Sequence, residues 1–254
     1  MLKSPLSWMG GKYRLRKKII ELIPEDHTCY IEVFGGAGWV FFGKQPSKVE
    51  VYNDINSELV NFFRVLKYHS EEFKAWIEKD VASREIFAAY HDALPQYMTD
   101  IQRAVKFFYL IKYSFASKGD NFGYGTSKDP NKAIFNTGFV QEVRDRLRNC
   151  YVENLSFETL IEKYDSQGSF FFCDPPYHKL AQYKDKFHRE DHLKLLDMLK
   201  HIKGKFLVTI NDHPEVREWY QEFNIQEVEV GYSVCREAKG RRSFKELIIT
   251  NYSS

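Results

Sequence analysis

Cys29-Tyr30-Ile31-Glu32-Val33-Phe34-Gly35-Gly36-Ala37-Gly38-Trp39-Val40-Phe41-Phe42, with Lys48-Val49-Glu50-Val51-Tyr52-Asn53-Asp54 close behind, decides the fold class. The first six residues read as a strand, because aromatic and β-branched side chains fit a pleated, half-buried surface. The glycine run reads as a tight turn, and Trp39 to Phe42 as a short apolar helix after it. Lys48 to Tyr52 alternates like a second strand, and a helix is expected from about Ile55 to Tyr68. Strand, glycine turn, helix, strand, helix is how a parallel α/β sheet begins.

Upstream, Gly11 to Ile23 reads as a helix with a basic face (Arg14, Arg16, Lys17, Lys18), stopped by Pro24. Downstream the pattern changes. Ser70 to Ser114 is helical in period, and Phe115 to Ala133 has none, carrying Gly119, Gly123, Gly125 and Pro130. A further helix is expected from Gly138 to about Arg148. The α/β rhythm then returns, with Tyr151 to Glu153 a strand and Phe157 to Tyr164 a helix. Ser169-Phe170-Phe171-Phe172-Cys173 is a continuous apolar run, as a central strand buried on both faces requires. Asp191 to Ile202 is a helix, Lys205 to Ile210 a strand and Glu215 to Phe223 a helix. Ile225 to Val230 and Phe244 to Ile249 close the sheet as an antiparallel pair, with a basic loop between them. The expected organisation is one α/β domain made of residues 1–69 and 149–254, with residues 70–148 as a mostly helical insertion.

Composition limits the function. The chain has 254 residues, 43% hydrophobic and 28% charged, which excludes a disordered polypeptide. No apolar run approaches the ~20 residues that span a bilayer, and the start lacks a secretory leader, so no membrane association is expected. Cys29, Cys150, Cys173 and Cys235 are scattered without a C-x-x-C pair. That suits neither a zinc site nor a disulfide framework, and a reducing cytoplasm is the simple inference. A net charge of +2 excludes a uniformly basic nucleic-acid binder, but the charge is uneven. Residues 71–100 carry seven acids and three bases, whereas residues 101–150 carry nine bases and four acids. Such a basic region can meet phosphates locally, or simply be a solvated face.

Ligands of open α/β sheets bind beyond the carboxyl ends of the strands. Three segments fall there: Phe34 to Gly38, Asn53-Asp54, and Asp174-Pro175-Pro176-Tyr177. The glycine turn is not a full G-x-G-x-x-G, since Phe41 stands where the third glycine would be, so a pyrophosphate is not indicated. Asp54, 16 residues after Gly38, stands where a carboxylate accepts ribose hydroxyls, although it could also cap the helix after it. Ribose without pyrophosphate points to an adenosyl ligand other than a dinucleotide, and S-adenosylmethionine fits. Two prolines after a buried strand fix a stiff turn. That turn presents the Asp174 carboxylate and Pro175 carbonyl as acceptors and Tyr177 as a flat face, a set suited to an exocyclic amino group on a planar ring.

With these residues the chain resembles the Dam-type DNA adenine N6-methyltransferases of phages and restriction-modification systems. The resemblance rests on Leu6-Ser7-Trp8-Met9-Gly10-Gly11-Lys12-Tyr13, Glu32 to Gly38, Asn53-Asp54-Ile55-Asn56 and Asp174 to Tyr177. The order of motifs is that of the family's alpha group. The resemblance implies a Rossmann-like, S-adenosylmethionine-dependent methyltransferase sheet, with residues 70–148 as target-recognition insertion. It implies methyl transfer to N6 of a flipped-out adenine in double-stranded DNA, without a metal. Trp8 and Lys12 would enclose the methyl donor, Lys12 near its carboxylate. Phe34, Gly36 and Gly38 would line its methionine and ribose, Asp54 would hold the ribose, and Phe157 would pack on its adenine. Asp174, Pro175, Pro176 and Tyr177 would form the catalytic corner, beside the methyl donor. Lys118, Lys128, Arg241 and Arg242 would meet DNA phosphates. A monomer in the cytoplasm of a bacterium or phage-infected cell is expected.

The residues also admit other readings. Related enzymes methylate cytosine N4, RNA adenine or protein glutamine, but more often carry Ser or Asn before Pro-Pro, so Asp174 favours DNA adenine. A catalytically silent DNA-binding protein would not need both Asp174 and Asp54. A nicotinamide dehydrogenase lacks support without the third glycine.

Overall fold

A computed structural model describes residues 1–8, 10–124, 137–179, 187–232 and 242–253. Among the described residues seven strands form one sheet in the order β3-β2-β1-β4-β5-β7-β6. They are β1 (Cys29–Glu32), β2 (Val49–Asn53), β3 (Cys150–Glu153), β4 (Ser169–Cys173), β5 (Lys205–Asn211), β6 (Asn224–Tyr232) and β7 (Arg242–Thr250). The first five in that order run parallel, and β7 is antiparallel to both β5 and β6. The closing hairpin expected from the sequence is therefore present, with its second strand inserted beside β5.

Side chains alternate across the sheet as the period of two demands. Tyr30, Tyr52, Phe170 and Phe172 face one layer of core, and Ile31, Val33, Val51, Phe171 and Cys173 the other. All five residues of β4 are buried, the burial its apolar run implies. The second layer is closed by α8 (Phe157–Tyr164), α9 (Arg189–His201) and α10 (Pro214–Trp219). The first is closed by α1 (Arg16–Glu21), α2 (Trp39–Gly43) and α3 (Ser57–Tyr68).

Beyond α3 come α4 (Ser70–Ile77), α5 (Arg84–Asp92), α6 (Asp100–Tyr113) and α7 (Gly138–Leu147). The long helical stretch is thus cut in three. Ser83 caps α5, and Thr99 starts α6 with a capping box to Gln102, each satisfying amides that a helix start leaves bare. Phe62 of α3 and Phe108 of α6 stack with centroids 5.7 Å apart, and Phe108, Val140 and Val143 join the same core cluster as Tyr30 and Phe170.

Two helices are shorter than expected. The first begins at Arg16 rather than Gly11, because Gly11 is pressed against Trp39, where an added Cβ would lie 2.8 Å from the indole. Helix α10 ends at Trp219, and Tyr220 leaves the helical region. The cap of α3 is Asn56, whose side chain accepts from the Glu58 and Leu59 amides; Asp54 is not its cap.

Candidate active site

The chain runs from β1 outward to β2 and later returns to β4 on the other side of β1, so the strand order reverses between β1 and β4. Open α/β sheets bind ligands in the crevice at such a point. Glu32 pairs with Phe172 across these strands, so Phe34 and Asp174 leave the sheet side by side. A cleft of about 810 Å³ opens there, inside the range usual for ligand sites. Trp8, Lys12, Phe34, Gly36, Gly38, Asp54, Asp174, Pro175 and Pro176 all line it. Residues far apart in the chain, singled out from sequence, thus share one cavity.

The glycine turn is built from close contacts. Gly36 and Gly38 have φ of +50° and +68°, a region that side-chain-bearing residues rarely adopt. A Cβ on Gly35 would meet the Tyr52 ring at 2.4 Å. Tyr52 donates its hydroxyl to the Gly36 carbonyl at 2.5 Å. Asp54 accepts the Gly36 amide on Oδ2 and the Asn56 amide on Oδ1, both at 2.8 Å. Its carboxylate is therefore oriented against the turn before any ligand binds. Asn53 ties the same region together, donating to the Val33 and Leu155 carbonyls and accepting the Leu155 amide.

At the opposite wall Asp174 is held by two donors. Lys12 Nζ lies 2.7 Å from its Oδ1, and Thr209 donates to the same oxygen at 2.8 Å. Burial pushes the Asp174 carboxyl above its ordinary value, and the Lys12 ammonium pulls it part of the way back. Lys12 also donates to the Tyr177 hydroxyl at 2.7 Å and to the Gly10 carbonyl at 3.2 Å, with its ammonium 4.6 Å from the Tyr177 ring centre. The resemblance placed Lys12 near the methyl donor's carboxylate; here its ammonium is engaged by the Asp174 corner.

Other expected residues lie further out. Phe157 does not line the cleft. It is buried one layer back, with its ring 5.9 Å from Phe34 and 5.6 Å from Phe187. Lys118 lines the cleft mouth with Ser117, Gly119 and Asp120, on a tight loop closed by the bridge of Ser114 to Phe122. Lys128 and Arg241 lie outside the described residues, and Arg242 is described only as backbone at the start of β7.

Two buried acids were missed. Glu32, on β1, lines the cleft and accepts the Tyr30 hydroxyl at 2.7 Å. Burial raises its carboxyl to about 8, against the pull of Tyr30 and Lys44. Glu246, on β7, lies 3.9 Å from Lys12. For Glu32 the available signal was a single acid inside an otherwise apolar inner strand, since burying a charge is costly; Glu246, beside Lys245 on β7, offered no such pattern.

A Rossmann-like sheet with a glycine turn, an oriented carboxylate and the Asp174-Pro175-Pro176 corner around one cleft, with Tyr177 just behind it against Lys12, defines the class: an α/β methyltransferase. The family model of the D12 class N6 adenine-specific DNA methyltransferases matches residues 8–234, and the chain belongs to that family. It is 29% identical to the type II methyltransferase M1.LlaDCHI of Lactococcus lactis subsp. cremoris, over 97% of this chain and 94% of that protein. It is 25% identical to the DNA adenine methylase of Escherichia coli K12, over 96% and 93% of the two chains. Against the type II methyltransferase M.FokI of Planomicrobium okeanokoites it is also 25% identical, over all of this chain and 43% of that protein. The enzyme is accordingly an adenine-specific DNA methyltransferase, with S-adenosylmethionine as methyl donor and DNA as substrate. Among the described residues no helix is long and apolar enough to cross a membrane.

Proposed function

We propose that the chain methylates N6 of an adenine flipped out of double-stranded DNA into the cleft between the glycine turn and the Asp174 corner. The observation that carries this reading is that both lie on one open cavity with Trp8, Phe34 and Asp54 between them. The cavity suits an adenosyl ligand: two glycines leave the floor bare of side chains, and a carboxylate oriented by two backbone amides lines the cleft where a diol would lie. Trp8, Phe34, Gly36, Gly38 and Asp54 would hold S-adenosylmethionine, which supplies an electrophilic methyl group. Phe157 acts by fixing the ring of Phe34.

The N6 lone pair of adenine is delocalised into the ring and is a poor nucleophile. Asp174 and the Pro175 carbonyl would accept hydrogen bonds from the two amino N–H groups, which favours a tetrahedral nitrogen with its lone pair toward the methyl group. As the N–CH3 bond forms the S–CH3 bond breaks, S-adenosylhomocysteine is the leaving group, and the surplus N6 proton passes to water. Lys12 and Thr209 hold Asp174 from one side through Oδ1, leaving Oδ2 for the amino group. Pro175 and Pro176 stiffen the corner, and Tyr177, positioned by Lys12, stacks on the base. The catalysis is positioning and electrostatic stabilisation, with no covalent intermediate. Extruding the base costs a few kcal/mol, which stacking worth about 1–3 kcal/mol offsets in part. Residues 70–148 serve target recognition, and Lys118, with Lys128, Arg241 and Arg242, meets phosphates. A monomer in the cytoplasm of a bacterium or phage-infected cell fits this activity.

The test is to express the chain in cells lacking adenine methylation and map modified adenines in their DNA. N6-methyladenine at one recurring sequence is expected. Methylation confined to cytosine, RNA or protein would overturn the reading.

A further inference from the structure

Directly after the Asp174 corner, on the side away from the cleft, lies a group of imidazoles that methyl transfer does not use. His178 is buried, and its ring stands edge-on to three others. The centroids lie 4.9 Å away at Trp219, 5.1 Å at His213 and 5.5 Å at His192. Glu215 joins them, its Oε2 3.1 Å from His178 Nε2. One ligand atom from each of His178, His213 and Glu215 lies within 4.8 Å of the other two. His213 Nδ1 already accepts the Glu215 amide at 3.2 Å, so Nε2 is its ligand atom.

We propose that His178, His213 and Glu215 bind one divalent transition-metal ion of the zinc class. Two imidazoles and a carboxylate are the donor set such ions prefer over calcium or magnesium. A tetrahedral ion with bonds of about 2.1 Å needs ligand atoms about 3.4 Å apart. His178 Nε2 and Glu215 Oε2, 3.1 Å apart, are near that spacing, and His213 offers its ligand atom within 4.8 Å of both. A second observation points the same way. His192 is fully buried and packs on His178, yet neither of its ring nitrogens has a hydrogen-bond partner among the described residues. A buried polar atom without a partner calls for a physical explanation, of which a water or an ion is one. A water completing the metal's shell would give His192 its partner, as outer-layer groups do in metal sites.

The site has a built-in competitor. Lys179 Nζ lies 2.6 Å from Glu215 Oε1, and Arg189 Nε lies 3.8 Å from Oε2. Both side chains are more than half exposed, so water can take them up when an ion arrives. An ion here would tie the loop after β4 to the loop after β5, bracing Tyr177 from behind. It stands outside the methyl-transfer chemistry and does not depend on the proposed residue roles.

The test uses the full-length, tag-free protein, stripped by chelator and titrated with Co²⁺ and then Zn²⁺. One equivalent of Co²⁺ is expected to give visible absorption bands, Zn²⁺ to displace it, and either ion to raise the melting temperature. His213→Ala and Glu215→Gln should each weaken affinity about tenfold or more. Lys179→Ala should strengthen it by freeing the carboxylate. Absence of uptake at 100-fold excess of Co²⁺, affinity unchanged in both ligand variants, or weakened binding in Lys179→Ala would each overturn the assignment. Circular dichroism of each variant keeps loss of fold distinct from loss of a ligand.

Discussion

Asp174 meets opposing demands. It must be charged to accept amino protons, yet its burial favours the neutral acid, and Lys12 restores part of the charge. The rate of methyl transfer should therefore fall with acid above the ordinary carboxylate range, since the folded enzyme takes up that proton more readily than an exposed aspartate. Asp174→Ala should lower the single-turnover rate by about 10²-fold or more, while binding of methyl donor and DNA stays measurable by calorimetry and gel shift. Wild-type turnover in that variant would remove the carboxylate from the mechanism. Glu32 makes a separate prediction. Its folded value of about 8 exceeds its unfolded one, so its proton stabilises the fold fully below about pH 4.5. That contribution is lost as pH rises through 8. Glu32→Gln should therefore gain stability relative to wild type by about 2–4 kcal/mol between pH 5 and pH 9. Urea unfolding at the two pH values measures this, and an equal difference at both would refute it.

At the scale of elements, what could be read from sequence was what local chemistry decides. The bounds of β4 and α8 follow from an apolar run ended by Asp174-Pro175 and from Ser156 capping Phe157 to Tyr164. The start of α1 was not readable, because Gly11 and Lys12 are held by Trp39, Asp174 and Tyr177, partners far along the chain. The capping role of Asn56 rather than Asp54 has the same cause: the glycine turn claims Asp54. The cleft's motif residues were legible because each needs an uncommon local pattern. The pairing of Lys12 with Asp174 and the buried Glu246 were not, since pairing across distant strands leaves no local trace. The loop carrying Lys118 stands at the cleft beside Ser117, Gly119 and Asp120. Phosphate contacts release counterions, so Lys118→Ala should reduce the salt slope of DNA binding by about one ion. Affinity would drop similarly for specific and unrelated DNA. Filter binding across a salt series checks it, and an unchanged slope would exclude the contact.

At the scale of the molecule, the helices of residues 70–148 and the sheet share one hydrophobic core, and a buried ion cluster crosses between them. Glu50 of β2 lies between Lys44, at 2.5 Å, and Arg146 of α7, whose guanidinium contacts both carboxylate oxygens. Arg146 also donates to the Phe41 carbonyl at 2.7 Å and lies over the Phe41 ring. Two cations hold the Glu50 carboxyl below its usual value despite burial. Removing one partner from such a cluster leaves buried charge poorly compensated, so Arg146→Ala should cost about 3 kcal/mol. The form of the loss matters as much as its size. If residues 70–148 and the sheet are one cooperative unit, the urea curve shifts to lower midpoint as a single transition with unchanged slope. If residues 70–148 fold independently, the variant unfolds in two steps, the first confined to those residues. A shared core that includes Phe62, Phe108, Val143 and Phe170 favours the single transition. On that expectation the cleft, walled by both β1 and α6, persists or melts as one object, and Arg146→Ala lowers DNA methylation only in proportion to the folded fraction.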